Sequence, residues 1–181
     1  KPSPGWIIEL HDDDGRPVRA AISYGVDTRA TEQIADLYRS YPASRLEGVS
    51  GHPLTSQSVG PKMLWLRDNE PAIWDRTRTF FTSGSYLVHR LTGSYVLDHT
   101  TASMCDPFYD AHANAWNDEW VSDLVPHLRF PELRWPDEII GTVLPGASQE
   151  TGIPSGTPVT TGTMDFWAEN IGCGAELPGS L

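Results

Sequence analysis

The apolar positions of this chain first alternate with polar ones and then recur at helical spacing, so the pattern predicts strands followed by helices. Trp6-Ile7-Ile8-Glu9-Leu10 and the segment from Val18 to Ser23 read as two strands, with Asp14-Gly15-Arg16-Pro17 as the tight turn between them. From Thr31 to Tyr41, the residues Ile34, Ala35, Leu37 and Tyr38 fall three and four apart, which predicts a helix capped by Thr31. Ser44 to Ser58 is rich in Gly, Ser and Pro and reads as a loop. A second helix is expected over Pro61 to Asn69, since proline in a first turn loses no hydrogen bond. A third starts near Glu70 with Ile73 and Trp74 inward, and a fourth runs from Tyr86 to Thr92 and stops at Gly93. Trp116 to Leu124 is another helical pattern, followed by a proline-punctuated stretch from Pro126 to Pro136. Ile139 to Val143 reads as a strand and Gln149 to Thr151 as one helical turn closed by Gly152. Thr157 to Thr163 is expected as a buried strand that runs into a helix over Asp165 to Gly172. Strands interspersed with helices imply an α/β architecture.

Composition narrows the function classes. A net charge of −11 leaves no basic stripe to offset phosphate backbones, which argues against nucleic acid as a partner. No apolar run reaches the roughly 20 residues of a membrane-spanning helix, and the first five residues lack the apolar core of a secretory signal. Two cysteines, Cys105 and Cys173, are too few for a disulfide framework and read as reduced thiols of a cytoplasmic protein. The six histidines show no metal-ligand spacing, so no zinc site is expected. Asp12-Asp13-Asp14 precedes Gly15 and reads as a hairpin turn rather than a calcium loop, which needs ligands at alternate positions. Trp65 and Trp74 sit at helical spacing with other apolar residues and read as core.

Several segments in order carry a resemblance. Gly51-His52-Pro53-Leu54-Thr55 precedes P-K-M-L-W-L-R-D-N-E-P (Pro61 to Pro71), Y-L-V-H-R-L-T-G-S-Y-V-L-D (Tyr86 to Asp98) and T-A-S (Thr101 to Ser103). Upstream stands Y-G-V-D-T-R-A (Tyr24 to Ala30), and downstream I-G-T-V, T-G-I-P-S-G-T-P-V and G-T-M-D (Gly162 to Asp165). In this order the chain resembles the N-terminal domain of the FGGY carbohydrate kinases, which include xylulokinases, glycerol kinases, ribulokinases and gluconokinases. The resemblance implies an actin-like, ribonuclease H-like fold. It implies one partial sugar-binding domain over residues 1–181, truncated at both ends. The family's D-x-G-T-T/S phosphate turn and its M-H-G stretch are not found, and its C-terminal ATP-binding domain would begin just after Leu181. It implies ATP and Mg2+ as cofactors, bound mainly by that missing domain, and a sugar or polyol as substrate. A homodimer stays open.

Phosphoryl transfer to an alcohol asks for an in-line hydroxyl, neutralised phosphate charge and a base to receive the hydroxyl proton. An acid between a strand and a helix start stands at the mouth of an open α/β sheet, where ligands bind. Asp165 holds that place, and the resemblance makes it the catalytic base; by residue type alone it reads first as a helix N-cap. The family carries an amide directly after that Asp, whereas this chain has Phe166, either a substrate contact of a different kind or a core residue. Gly162 and Thr163 either let the backbone approach the substrate or only form the turn. Gln57 aligns with a substrate-contacting position of glycerol kinases and otherwise reads as a solvated loop residue. Asp27 and Arg29 are expected to pair or to cap the following helix. Lys62 is expected as a solvated surface residue, and Asp98 with Ser103 as a structural turn beside the cleft. The resulting expectation is a kinase phosphorylating a ketopentose such as xylulose, with this piece inactive by itself. The alternatives are a non-catalytic sugar-binding or regulatory domain of the same fold, or a lectin-like module, which the strand-helix alternation opposes.

Overall fold

The computed structural model describes residues 6–23 and 26–175. Lys1 to Gly5, and Tyr24 and Gly25 of the Y-G-V-D-T-R-A segment, lie outside the described residues. The first strand, β1 (Trp6–His11), pairs antiparallel on one side with β2 (Ile22–Ser23). The turn after β1 forms as the Asp-Gly signal predicts. The Asp12 carboxylate accepts from the backbone N–H groups of Asp14 (3.0 Å) and Arg16 (2.9 Å), and Gly15 takes φ 72°. The returning chain is irregular after a single bridge at Pro17, so the second strand is shorter than Val18 to Ser23.

Helix α1 (Thr31–Ser40) follows with Ala30, not Thr31, at its cap; the Thr31 hydroxyl instead donates to the Thr28 carbonyl. The first part of the loop expected over Ser44 to Ser58 instead falls in α2 (Ala43–Ser50), because Leu46 is fully buried in the core and Gly51 ends the helix at φ 79°. Tertiary burial overrides a weak local pattern here.

Central to the core is α3 (Val59–Asn69). Its first six residues are buried on every side, as expected of a helix enclosed by other elements. Gly60 is required in that helix: a Cβ there would stand 2.0 Å from the Asp106 carbonyl oxygen. Helix α1 packs against α3, and the short α4 (Pro71–Trp74) buries Trp74. Trp65, expected in the core, is only half-buried and is covered by the Arg29 guanidinium, 4.7 Å from its ring centre.

Strand β3 (Thr79–Phe81) completes a three-stranded antiparallel sheet of order β2-β1-β3. Helix α5 (Ser83–Thr92) starts three residues before the predicted Tyr86, because Thr82 and Ser85 form a reciprocal capping box. Then come β4 (Val96–Asp98), the single turn α6 (His99–Ala102), and the hairpin of β5 (Tyr109–Asp110) and β6 (Ala115–Trp116). Trp116 therefore belongs to a strand, and the helix expected from it is α7 (Asp118–Leu124), capped by Asn117. Inside the proline-rich stretch, β7 (Glu132–Arg134) runs parallel to β4. Strand β8 (Ile139–Thr142), helix α8 (Pro145–Thr151), strand β9 (Pro158–Thr160) and helix α9 (Asp165–Gly172) finish the chain. Among the described residues strand β9 pairs only with β8 and is half-exposed to exposed, so of the expected buried strand Thr157 to Thr163 only Thr161, just past β9, is buried. The core cluster gathers Ile8 and Leu10 of β1, Leu37 of α1, Leu46 of α2, Val59, Met63 and Leu66 of α3 and Phe80 of β3.

Candidate functional site

Four chain segments converge on one cleft of about 250 Å³, a size suited to a small molecule rather than a polymer. One wall is the start of α5 with its cap, Thr82 to Ser85. Another is the end of β4 with Thr101 and Met104, joined by Val59 at the start of α3. The third is the segment from Thr161 to Asp165 that leads from β9 into α9. Strand ends and helix starts gather there because each leaves unpaired backbone groups that the next element cannot cover.

Asp98 links two of these walls. Its side chain is 4% exposed, and Oδ1 accepts from the Thr101 backbone N–H (3.0 Å) and from the Thr163 hydroxyl (3.0 Å). The sequence reading placed Asp98 only in a turn and missed the second bond, which joins residues 65 positions apart. The local signal, an acid three residues ahead of the N–H it caps, was legible; the partner Thr163 was not. Thr82 and Ser85 were also missed, although a Thr followed three residues later by a Ser, ahead of an apolar helical run, was a visible cue.

Asp165 lies in the lining of the same cleft as the first residue of α9. The cap position of that helix is Met164, and Asp165 Oδ1 accepts from the next backbone N–H, that of Phe166, at 2.8 Å. The N-cap role that residue type suggested is therefore corrected. Phe166 is 54% exposed with its ring edge-on to Trp167 at 5.4 Å, which overturns its reading as core, and it is outside the cleft lining. Gln57 is half-buried and also outside the lining, on the loop that leads into Val59. Its backbone N–H donates to the Thr55 hydroxyl at 3.1 Å.

Lys62 departs most from expectation. It is fully buried, and Nζ donates to the backbone carbonyls of Asp27 (2.9 Å) and Ser56. Burial lowers its pKa from the ordinary lysine value, and the Asp27 charge opposes that shift. Asp27 and Arg29 pair as expected, bidentate at 2.7 Å to 3.0 Å, and the Arg29 bond holds the Asp27 carboxyl below the usual range.

The cleft carries two carboxylates and no lysine or arginine among its lining residues. Among the described residues no group of three or more His, Cys, Asp or Glu side chains stands where it could hold a metal ion.

The family model for the N-terminal domain of the FGGY carbohydrate kinases matches residues 7–172. The chain belongs to the FGGY family of carbohydrate kinases. Among FGGY relatives it is 30% identical over 174 residues to a xylulose kinase of Staphylococcus epidermidis, covering 92% of this chain and 32% of that protein. It is 29% identical over 168 residues to the L-fuculokinase of Escherichia coli, covering 92% and 35%. A crystal structure of xylulose kinase from Rhodospirillum rubrum superposes with a TM-score of 0.88 at 28% identity, over 95% of this chain and 35% of that one. The fold is thus the actin-like, ribonuclease H-like α/β fold of FGGY sugar kinases. The chain spans about a third of the length of these relatives. Among the described residues no helix is long and apolar enough to cross a membrane.

Proposed function

We propose that the complete protein is an ATP-dependent carbohydrate kinase, with residues 1–181 supplying part of its sugar-binding domain. The acceptor is a sugar or polyol, a ketopentose such as xylulose before others. What carries the reading is Asp165 in the wall of the family's matched domain, across a cleft whose other acid, Asp98, is already engaged by Thr163 and Thr101.

In this mechanism the acceptor hydroxyl lies against Asp165 and its oxygen attacks the γ-phosphorus. The proton passes to the Asp165 carboxylate, and the bond from phosphorus to the bridging oxygen breaks to release ADP. Thr163, oriented by Asp98, contributes a hydroxyl oxygen as a contact for the sugar. Phe166 replaces the amide of related kinases and cannot make its hydrogen bonds, so the acceptor is held by other groups; Gln57, outside the cleft lining on the loop that leads into Val59, is proposed to reach the acceptor from there. As the family implies, ATP and Mg2+ would be held mainly by the part of the kinase outside this chain.

Asp165→Asn should lower kcat by about a hundredfold or more in the complete protein, with sugar affinity nearly unchanged. Steady-state turnover with xylulose, glycerol and fuculose checks this. A near-normal rate removes Asp165 from the role of base. The second reading, a non-catalytic sugar-binding or regulatory domain, is favoured by Phe166 and requires sugar binding without turnover in the wild type.

A further inference from the structure

The loop that carries Gln57 is gripped from beneath by two buried ionisable side chains. Ser56, just before Gln57, gives its carbonyl to Lys62 Nζ. Ser58, just after it, donates its hydroxyl to Asp106 Oδ2 at 3.2 Å and accepts from the Thr55 N–H at 3.0 Å. Lys62 and Asp106 are both 0% exposed. The same ammonium reaches the Asp27 carbonyl, so it ties the loop to the segment before α1. Beyond Ser58 the chain enters Val59, whose N–H donates to the Met104 carbonyl at 2.9 Å, and both Val59 and Met104 line the cleft.

A solvated lysine would satisfy its donors in water at no cost. Burying one beneath two main-chain carbonyls is expensive, and an apolar side chain would fill a core position more cheaply. What the amine adds is a fixed distance between α3 and the loop at Ser56. We propose that Lys62 is a positioning residue for acceptor binding: through Ser56 it holds the Thr55-to-Ser58 loop, and with it Gln57, at the height where the loop meets the cleft wall. The inference rests on the sugar-kinase reading, and it concerns acceptor affinity rather than the proton-transfer step.

The test uses the complete protein with xylulose as acceptor. Lys62→Met keeps length and removes the donors; it should raise KM for xylulose about tenfold while kcat and KM for ATP stay within about threefold. Lys62→Arg, which keeps charge and donors, should recover part of the loss. Ser58→Ala loosens the second grip by removing a single hydroxyl, and should raise the same KM about threefold. It decides the question if Lys62→Met is insoluble. Gln57→Ala combined with Lys62→Met should cost little more than either alone, because both act through one loop. An unchanged acceptor KM in Ser58→Ala and in soluble Lys62→Met, or equal losses in kcat and kcat/KM, overturns the proposal. Failure of the kinase reading looks different, since turnover is then absent from the wild type or Asp165→Asn is fully active.

Discussion

At the residue scale, the informative groups are ionisable side chains without water around them. Asp106 is buried, its Oδ1 has no partner among the described residues, and its pKa is raised from 3.8 to about 6. Burial is the main cause; His52, at 3.8 Å, and the Ser58 hydroxyl oppose it. Between about pH 4 and pH 6 the folded chain keeps a proton that the unfolded chain has released. The stabilisation this provides is complete below the unfolded pKa and is lost as pH rises through about 6, an effect on the order of 3 kcal/mol. Asp106→Asn carries no charge at any pH. The stability of wild type relative to this variant should therefore fall from pH 4 to pH 7, as read from urea midpoints of both proteins. A constant difference across that range would contradict it. Comparing the two also cancels carboxyls shifted the other way, such as Asp27.

At the element scale, caps and edges place the site more than strand or helix content does. The capping box of Thr82 and Ser85 begins α5 at the cleft wall and is itself buried. Thr82→Ala should destabilise the protein by about 1 kcal/mol, measured as a lower denaturant midpoint with an unchanged slope. A change in slope would instead signal an altered unfolded or native surface. Helix α9 is the opposite case, with Phe166, Trp167 and Ile171 all exposed. Its boundaries match the sequence pattern because Gly162 and the acid before the apolar run mark them locally, whereas the core alternative for Phe166 fails, because burial depends on neighbours. The same distinction explains β9, a good strand sequence that pairs with β8 and lies near α5 yet stays half-exposed to exposed.

At the scale of the whole molecule, the proposed reaction moves a highly charged phosphoryl group, and the cleft lining holds two acids with no lysine or arginine. The 181-residue chain alone should therefore bind an acceptor sugar but show no ATP turnover, in a coupled ADP-release assay run with a thermal-shift screen across xylulose, glycerol and fuculose. Measurable turnover from this chain would place the phosphate-binding groups within it. Much of this was legible beforehand. The strand-helix alternation, the Asp12 turn, the Asp27–Arg29 pair and the Thr161-to-Gly172 junction are short-range features, set by turn residues, periodicity and neighbouring charges in one stretch of chain. Lys62 under Ser56, Asp98 bonded to Thr163 and Gly60 against Asp106 were not legible, because each joins a side chain or a backbone to another segment that only packing brings near. Sequence alone determined the fold class and where an acid would stand at a helix start; the tertiary structure decided which polar groups lost their water and what they hold in place, since desolvation belongs to the assembled core and to no single segment.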